Sequence, residues 1–162
     1  MRTLIEGIID PEDIKSLKLL RQALPLHNFT EIAEEIPSFA RLVEYLDTYL
    51  PEKPIWRKPS YFRICSRSMA FEKHYDGVML DGKTKNHMPW CRYSVISDLS
   101  KGYRGGSLRL YNPKEVFKKS LYCSALVFSS AADNEPQLHS RDKHDGKRSA
   151  LLMFLATKNS ES

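Results

Sequence analysis

The strongest constraint on the fold is a change of hydrophobic period near Pro54. Before it, apolar residues recur at helical spacing: Ile14, Leu17, Leu20 and Leu24 run up to Pro25. Asp10-Pro11-Glu12-Asp13 opens that run with a capping carboxylate, a proline suited to the first turn, and acids that favour the helix dipole. A second helix is predicted over 38–50, with Phe39, Leu42, Val43, Leu46 and Leu50 on one side and Pro51 as its stop. A short β-branched run over 4–9 predicts one early strand. After Pro54 the chain breaks into short runs rich in Tyr, Phe, Val, Ile and Leu, punctuated by Pro, Gly and Ser. These predict strands at 61–65, 69–74, 92–99, 107–111, 124–128 and 150–156. Many short strands separated by turns imply a sandwich, jelly roll or barrel. The expectation is one domain over 1–162, with 1–53 as helical support and 54–157 as the β-core.

A chain of 162 residues can hide roughly 70% of its unfolded surface. Its net charge of +5 is spread along the sequence, with one dense run at Arg141, Lys143, Lys147 and Arg148. That pattern reads as a solvated basic surface, and no nucleic-acid recognition motif accompanies it. Cys65, Cys91 and Cys123 are odd in number and widely spaced, which fits a reducing compartment and no zinc knuckle. No apolar run approaches the length of a membrane span. The N-terminus lacks the basic and apolar regions of a signal peptide, so a cytoplasmic location is expected.

The chemistry concentrates around His74-Tyr75-Asp76. On a strand, residues two apart share a face, so His74 and Asp76 point the same way and Tyr75 points opposite. One imidazole and one carboxylate in a fixed bite are two ligands of a 2-His-1-carboxylate site, which leaves positions open for co-substrate and oxygen. A second histidine must come from elsewhere. His27 lies in the helical region and His87 in the polar stretch before Pro89. His139 and His144 both sit between the apolar strands ending at Phe128 and beginning at Ala150, and the residues alone leave both open.

The ordered set is His74-Tyr75-Asp76, the strand over 92–99, Arg104-Gly105-Gly106-Ser107-Leu108, Leu126-Val127-Phe128, a distal histidine and Gly146-Lys147-Arg148. It resembles the prolyl-4-hydroxylase-like branch of the Fe(II)/2-oxoglutarate-dependent oxygenases, over about 62–154. The resemblance implies a double-stranded β-helix, a form of jelly roll. It implies Fe(II) held by His74, Asp76 and His139, with Arg148 gripping the far carboxylate of 2-oxoglutarate. His139 stands nine residues before Arg148, the family's spacing, whereas His144 stands four before it. It further implies a dioxygenase that hydroxylates or otherwise oxidises a C–H bond of a protein residue, amino acid or small metabolite. The partners would be 2-oxoglutarate, O2 and a small-molecule or peptide substrate, with ascorbate as a supporting reductant. Arg suits the proposed grip because its planar fork meets a carboxylate with two hydrogen bonds.

The pattern departs from the family where a tyrosine usually helps to hold the co-substrate. Here Ser97 and Asp98 stand nearest, and Asp98 facing that carboxylate would repel it. Ser94, Ser97 or Ser149 could supply the hydroxyl, with Tyr61 and Tyr93 as other candidates. Trp90 and Tyr103 read as core or as cleft lining, and 77–89 as a connection or a lid. The competing reading is a non-catalytic, cupin-like protein that binds metal or ligand.

Overall fold

The computed structural model describes residues 1–65, 70–146 and 148–160. In chain order the elements are β1 (Arg2–Ile5), α1 (Ile14–Lys18), α2 (Phe29–Glu35), α3 (Pro37–Tyr49), β2 (Tyr61–Cys65), β3 (Phe71–His74), β4 (Tyr93–Asp98) and β5 (Arg104–Gly105). They continue with β6 (Leu108–Leu110), β7 (Val116–Lys118), β8 (Ala125–Ser129), β9 (His139–Arg141), β10 (His144–Asp145) and β11 (Ala150–Leu155). A five-stranded sheet has the order β1-β8-β4-β11-β2, a four-stranded sheet β3-β9-β6-β7, and β5 pairs with β10. Every strand pairing is antiparallel. The two larger sheets face each other as a jelly roll, the double-stranded β-helix.

Alternation along the strands divides the five-stranded sheet into two faces. Tyr93, Val95, Ala125, Val127, Leu151, Met153 and Leu155 pack against Phe29, Phe39, Leu42 and Leu46 of the helices. Ile96, Leu126 and Phe128 point the other way and meet Leu108 and Leu110 of the four-stranded sheet. β4 is buried along its whole length, as expected of a central strand covered on both faces.

Helix α3 forms as its pattern predicts: Pro37 opens it, and Phe39, Leu42 and Leu46 turn one fully buried stripe to the sheet. The helix start at Asp10 is also present, with its carboxylate accepting the Glu12 N–H at 3.1 Å. Asp13 accepts both the backbone N–H and the hydroxyl of Ser38, which fastens this segment to the beginning of α3.

The helix expected to reach Leu24 instead stops at Lys18, leaving Leu19 and Leu24 76% and 74% exposed. Two forces end it. Pro25 disfavours helical backbone at Leu24. Leu26 also exchanges two 2.9 Å backbone hydrogen bonds with Phe62, drawing the chain onto the edge of β2. The strand expected over 4–9 pairs only as Arg2–Ile5, because the chain turns away at Gly7, whose φ is +65°. Helix α2 was not predicted; two buried residues, Phe29 and Ile32, are too few to display a period. The six predicted β-core strands are present, most with ends shifted by a residue. For the strand expected over 69–74, Met69 lies outside the described residues. β5, β7, β9 and β10 are additional, each two or three residues long.

Phe62 joins the layers: its ring lies 4.9 Å from both Phe29 and Phe39, centroid to centroid, and it is fully buried. Phe62→Ala is expected to lower stability by about 3–5 kcal/mol, measured by urea denaturation. A loss below about 1 kcal/mol would show that the helices do not depend on this contact.

Candidate metal centre

β3 and β9 build the site. Their register sets His74 directly opposite His139, while Phe71 faces Arg141. The paired positions are therefore three residue steps apart on β3 and two on β9, an irregularity that brings the two imidazoles together. Their ring centroids are 4.4 Å apart. Asp76 lies just beyond the end of β3, and its Oδ1 is 3.2 Å from His74 Nε2 and 3.4 Å from His139 Nε2. One ligating atom from each of the three residues falls within 4.8 Å of the others.

Each imidazole is oriented by a backbone carbonyl two residues earlier. His74 Nδ1 lies 2.8 Å from the Glu72 oxygen, and His139 Nδ1 lies 3.0 Å from the Gln137 oxygen. A carbonyl only accepts, so each Nδ1 carries its proton and each neutral ring presents an Nε2 lone pair. Two such lone pairs aimed at a carboxylate oxygen repel it unless a proton or a cation stands between them. The donor set therefore fits a divalent metal, with the ring-orienting carbonyls usual for histidine ligands.

With a proton standing there instead of a cation, the same groups still hold the acid ionised. Burial works against the charge on Asp76, but His139, His74 and the Ser94 hydroxyl hold its carboxyl far below the usual range. Burial likewise disfavours a protonated His74, yet the hydrogen bonds to Asp76 and to the Glu72 carbonyl raise its pKa. Behind Asp76, Ser94 Oγ lies 2.7 Å from Ser130 Oγ. Gly77 sits so close to this wall that a Cβ there would fall 2.4 Å from the Ser130 carbonyl oxygen, so only glycine fits.

In front of the triad is a cavity of about 190 Å³ lined by Phe71, His74, Asp76, Ile96, His139, Leu152 and Phe154. Phe71 lies edge-on to both imidazoles. The segment 77–89 is a fastened hairpin: Val78 pairs with Lys85, and the Asn86 amide donates to the Asp76 carbonyl at 2.7 Å. Trp90 packs on Tyr61, which packs on Phe154 of the cavity wall.

Arg148 is buried and turned inward, where its Nε donates to Asp98 Oδ1 at 3.1 Å. Asp98 also receives Arg141 Nη2 at 2.8 Å, the Tyr103 hydroxyl at 3.0 Å and the Leu121 N–H at 2.7 Å. Asp98 thus points inward and is neutralised by bases. Arg141 shares this acid, and His139-Ser140-Arg141 carries the same two-residue signal as His74-Tyr75-Asp76. Phe71 is not among the expected site residues, and Ser94, expected as a candidate hydroxyl for the co-substrate, lies beside Asp76. Strand parity would have placed Ser94 on the inner face, since it alternates with Asp98, but no motif marks it.

Three other residues expected at the co-substrate lie as their strand positions set them. Tyr93 and Ser97 occupy the odd positions of β4 and face the helices. Tyr93 belongs to the helix-side core, with its hydroxyl 3.4 Å from Glu52 Oε2. Ser97 pairs in register with Leu151 of that core, and its hydroxyl has no partner among the described residues. Ser149 stands just before β11, and its N–H binds Ser100 Oγ at 2.9 Å. His144 stands opposite Gly105 beside Tyr103, outside the triad.

The jelly roll is similar in fold to solved 2-oxoglutarate/Fe(II) oxygenases and prolyl hydroxylases. An oxidoreductase of the 2OG-Fe(II) oxygenase family from Burkholderia pseudomallei superposes with a TM-score of 0.64 at 13% identity, covering 98% of this chain and 85% of its own. A prolyl hydroxylase from Trichoplax adhaerens, in complex with a hypoxia-inducible-factor peptide, gives 0.64 at 14% identity over 97% and 84% of the two chains. The viral collagen prolyl hydroxylase of Paramecium bursaria Chlorella virus-1, as its 2OG complex, gives 0.59 at 10% identity over 96% and 95%. No protein-family model matches the chain, and no curated protein sequence does. No helix among the described residues is long and apolar enough to cross a membrane.

Cys91 lies behind the triad, and burial together with the Asp76 charge pushes its thiol up to about 12. At pH 8 its thiolate fraction is on the order of one in ten thousand. Iodoacetamide at pH 8 is expected to modify the half-buried Cys65 and Cys123 while sparing Cys91, as read by peptide mass spectrometry. Labelling of Cys91 at a comparable rate would contradict this placement.

Proposed function

We propose that this chain is an Fe(II)- and 2-oxoglutarate-dependent dioxygenase that hydroxylates, or otherwise oxidises, an unactivated C–H bond. The observation that carries the reading is the convergence of two carbonyl-oriented Nε2 atoms and one buried carboxylate oxygen at the mouth of an apolar cavity. His74, Asp76 and His139 would hold the metal from one side, leaving the cavity side open. Fe(II), when bound with 2-oxoglutarate, would supply the activation of O2, the chemistry the protein side chains lack. Arg148 would anchor the far carboxylate, because a buried carboxylate requires a charged partner. Phe71, Ile96, Leu152 and Phe154 exclude water from the reacting side. The likeness to proteins solved with 2OG and with a peptide supports a 2-oxo acid co-substrate and a protein, peptide or small-molecule substrate.

A second reading is favoured by one observation, the ion pair between Arg148 and Asp98. If Asp98 keeps the guanidinium from the co-substrate, the chain binds metal without turnover.

Succinate release from 2-oxoglutarate in the presence of Fe(II) separates the two readings. Turnover is expected from the native chain and none from His139→Ala, whose Mn(II) affinity should fall by more than about 100-fold. Metal binding without succinate would select the second reading, and no metal binding would remove both. Arg148→Ala is expected to weaken 2-oxoglutarate binding at least about tenfold with Mn(II) affinity unchanged, measured by calorimetry. Equal loss of both would assign Arg148 to folding instead.

A further inference from the structure

The interior beyond the metal centre holds two guanidinium groups and one carboxylate. Arg141 and Arg148 are 3% and 5% exposed, and Asp98 is fully buried. Buried charges persist where they are paired, and this cluster is one negative charge short. Asp98 cannot make up the difference, because both its oxygens are engaged: Oδ1 by Arg141 and Arg148, Oδ2 by Tyr103 and Leu121.

Arg141 is held in place without being satisfied. Its Nε donates to the Gly106 carbonyl at 2.9 Å and its Nη2 to Asp98 at 2.8 Å. Its Nη1 is buried with no hydrogen-bond partner among the described residues. A buried charged donor without a partner is costly. Arg141 also stands two residues after His139 on β9, so both side chains leave the same inward face, one strand step of roughly 6.8 Å apart.

We propose that Arg141, through Nη1, is a second anchor for the far carboxylate of the co-substrate. Asp98 then acts as a fixed counter-ion that leaves the pocket a single uncompensated positive charge. The pocket thereby selects dicarboxylate 2-oxo acids over monocarboxylate ones, and Arg141 takes the role the sequence leaves without a tyrosine. This inference rests on the reading of the site as a 2-oxoglutarate site.

The test is equilibrium binding of 2-oxoglutarate and of 2-oxopentanoate, the same chain without the far carboxylate, to Mn(II)-loaded protein. Native protein should prefer 2-oxoglutarate. Arg141→Gln should reduce that preference about ten- to a hundredfold, with 2-oxopentanoate and Mn(II) affinities unchanged. An unchanged preference, or equal loss for both acids, overturns the inference. If Arg141→Gln does not fold, a crystal structure of native protein with Mn(II) and 2-oxoglutarate decides: a far-carboxylate oxygen hydrogen-bonded to Arg141 Nη1 supports it, and a carboxylate held by Arg148 alone overturns it. Native protein that binds Mn(II) but neither acid removes the proposed function and this inference with it. A native preference that survives Arg141→Gln removes this inference alone.

Discussion

The site depends on one antiparallel pairing, that of β3 with β9. It brings together residues 65 positions apart in sequence and places His74 against His139 with Asp76 between their Nε2 atoms. A buried carboxylate is unfavourable alone, and here its compensation comes from neighbours: a serine hydroxyl, and two imidazoles that meet it across a proton or a cation. The arrangement is over-determined from behind. Glu72 and Gln137 fix the rings, Asn86 holds the Asp76 backbone, and the space at Gly77 admits no side chain. Constraint on one side and an apolar cavity on the other are what an open-faced metal centre requires.

The rest of the fold makes that cavity tolerable. Close packing stabilises a protein interior, and a void costs contacts. This chain separates the two demands by sheet face. The helix-side face of the five-stranded sheet packs into a large core with α2 and α3, while the inner face contributes to a much smaller apolar cluster. The helices therefore carry stability that the inside of the jelly roll, partly given over to the cavity, does not supply. Phe62, lodged between Phe29 and Phe39 on β2, ties those two functions together.

Much of this was legible because it rests on period and spacing. The switch from helical to strand period near Pro54 located the helical layer and the longer strands, since apolar alternation is imposed by burial. The His74–Asp76 spacing implied a shared face without reference to tertiary contacts. What escaped reading was short or parity-dependent. β5, β7, β9 and β10 are two or three residues long and include polar residues, so hydrogen bonding to neighbours, not their own pattern, makes them strands. The end of α1 was hidden because Leu20 and Leu24 continue its period while the pairing of Leu26 with Phe62 overrides it. Tyr93 and Ser97 were chosen for their hydroxyls and their nearness to the missing tyrosine, yet a strand residue's face is set by parity. Asp98 is inward, so Ser97 and Tyr93 must be outward.

The same parity rule changes how the departure from the tyrosine pattern is understood. Removing a neutral donor and burying an acid next to the expected anion would repel that anion if nothing else changed. In this chain the inward acid is matched by an inward base two residues beyond the distal histidine, so the local sum of Asp98, Arg141 and Arg148 remains positive by one charge. On the proposed reading, a neutral hydroxyl and an ion-paired arginine would be different means to one electrostatic end, because both would leave room for a single carboxylate. The acid has a further effect. By engaging Nη2 of Arg141 and Nε of Arg148 it fixes two long side chains whose rotamer freedom binding an anion would otherwise remove, so both are ordered beforehand.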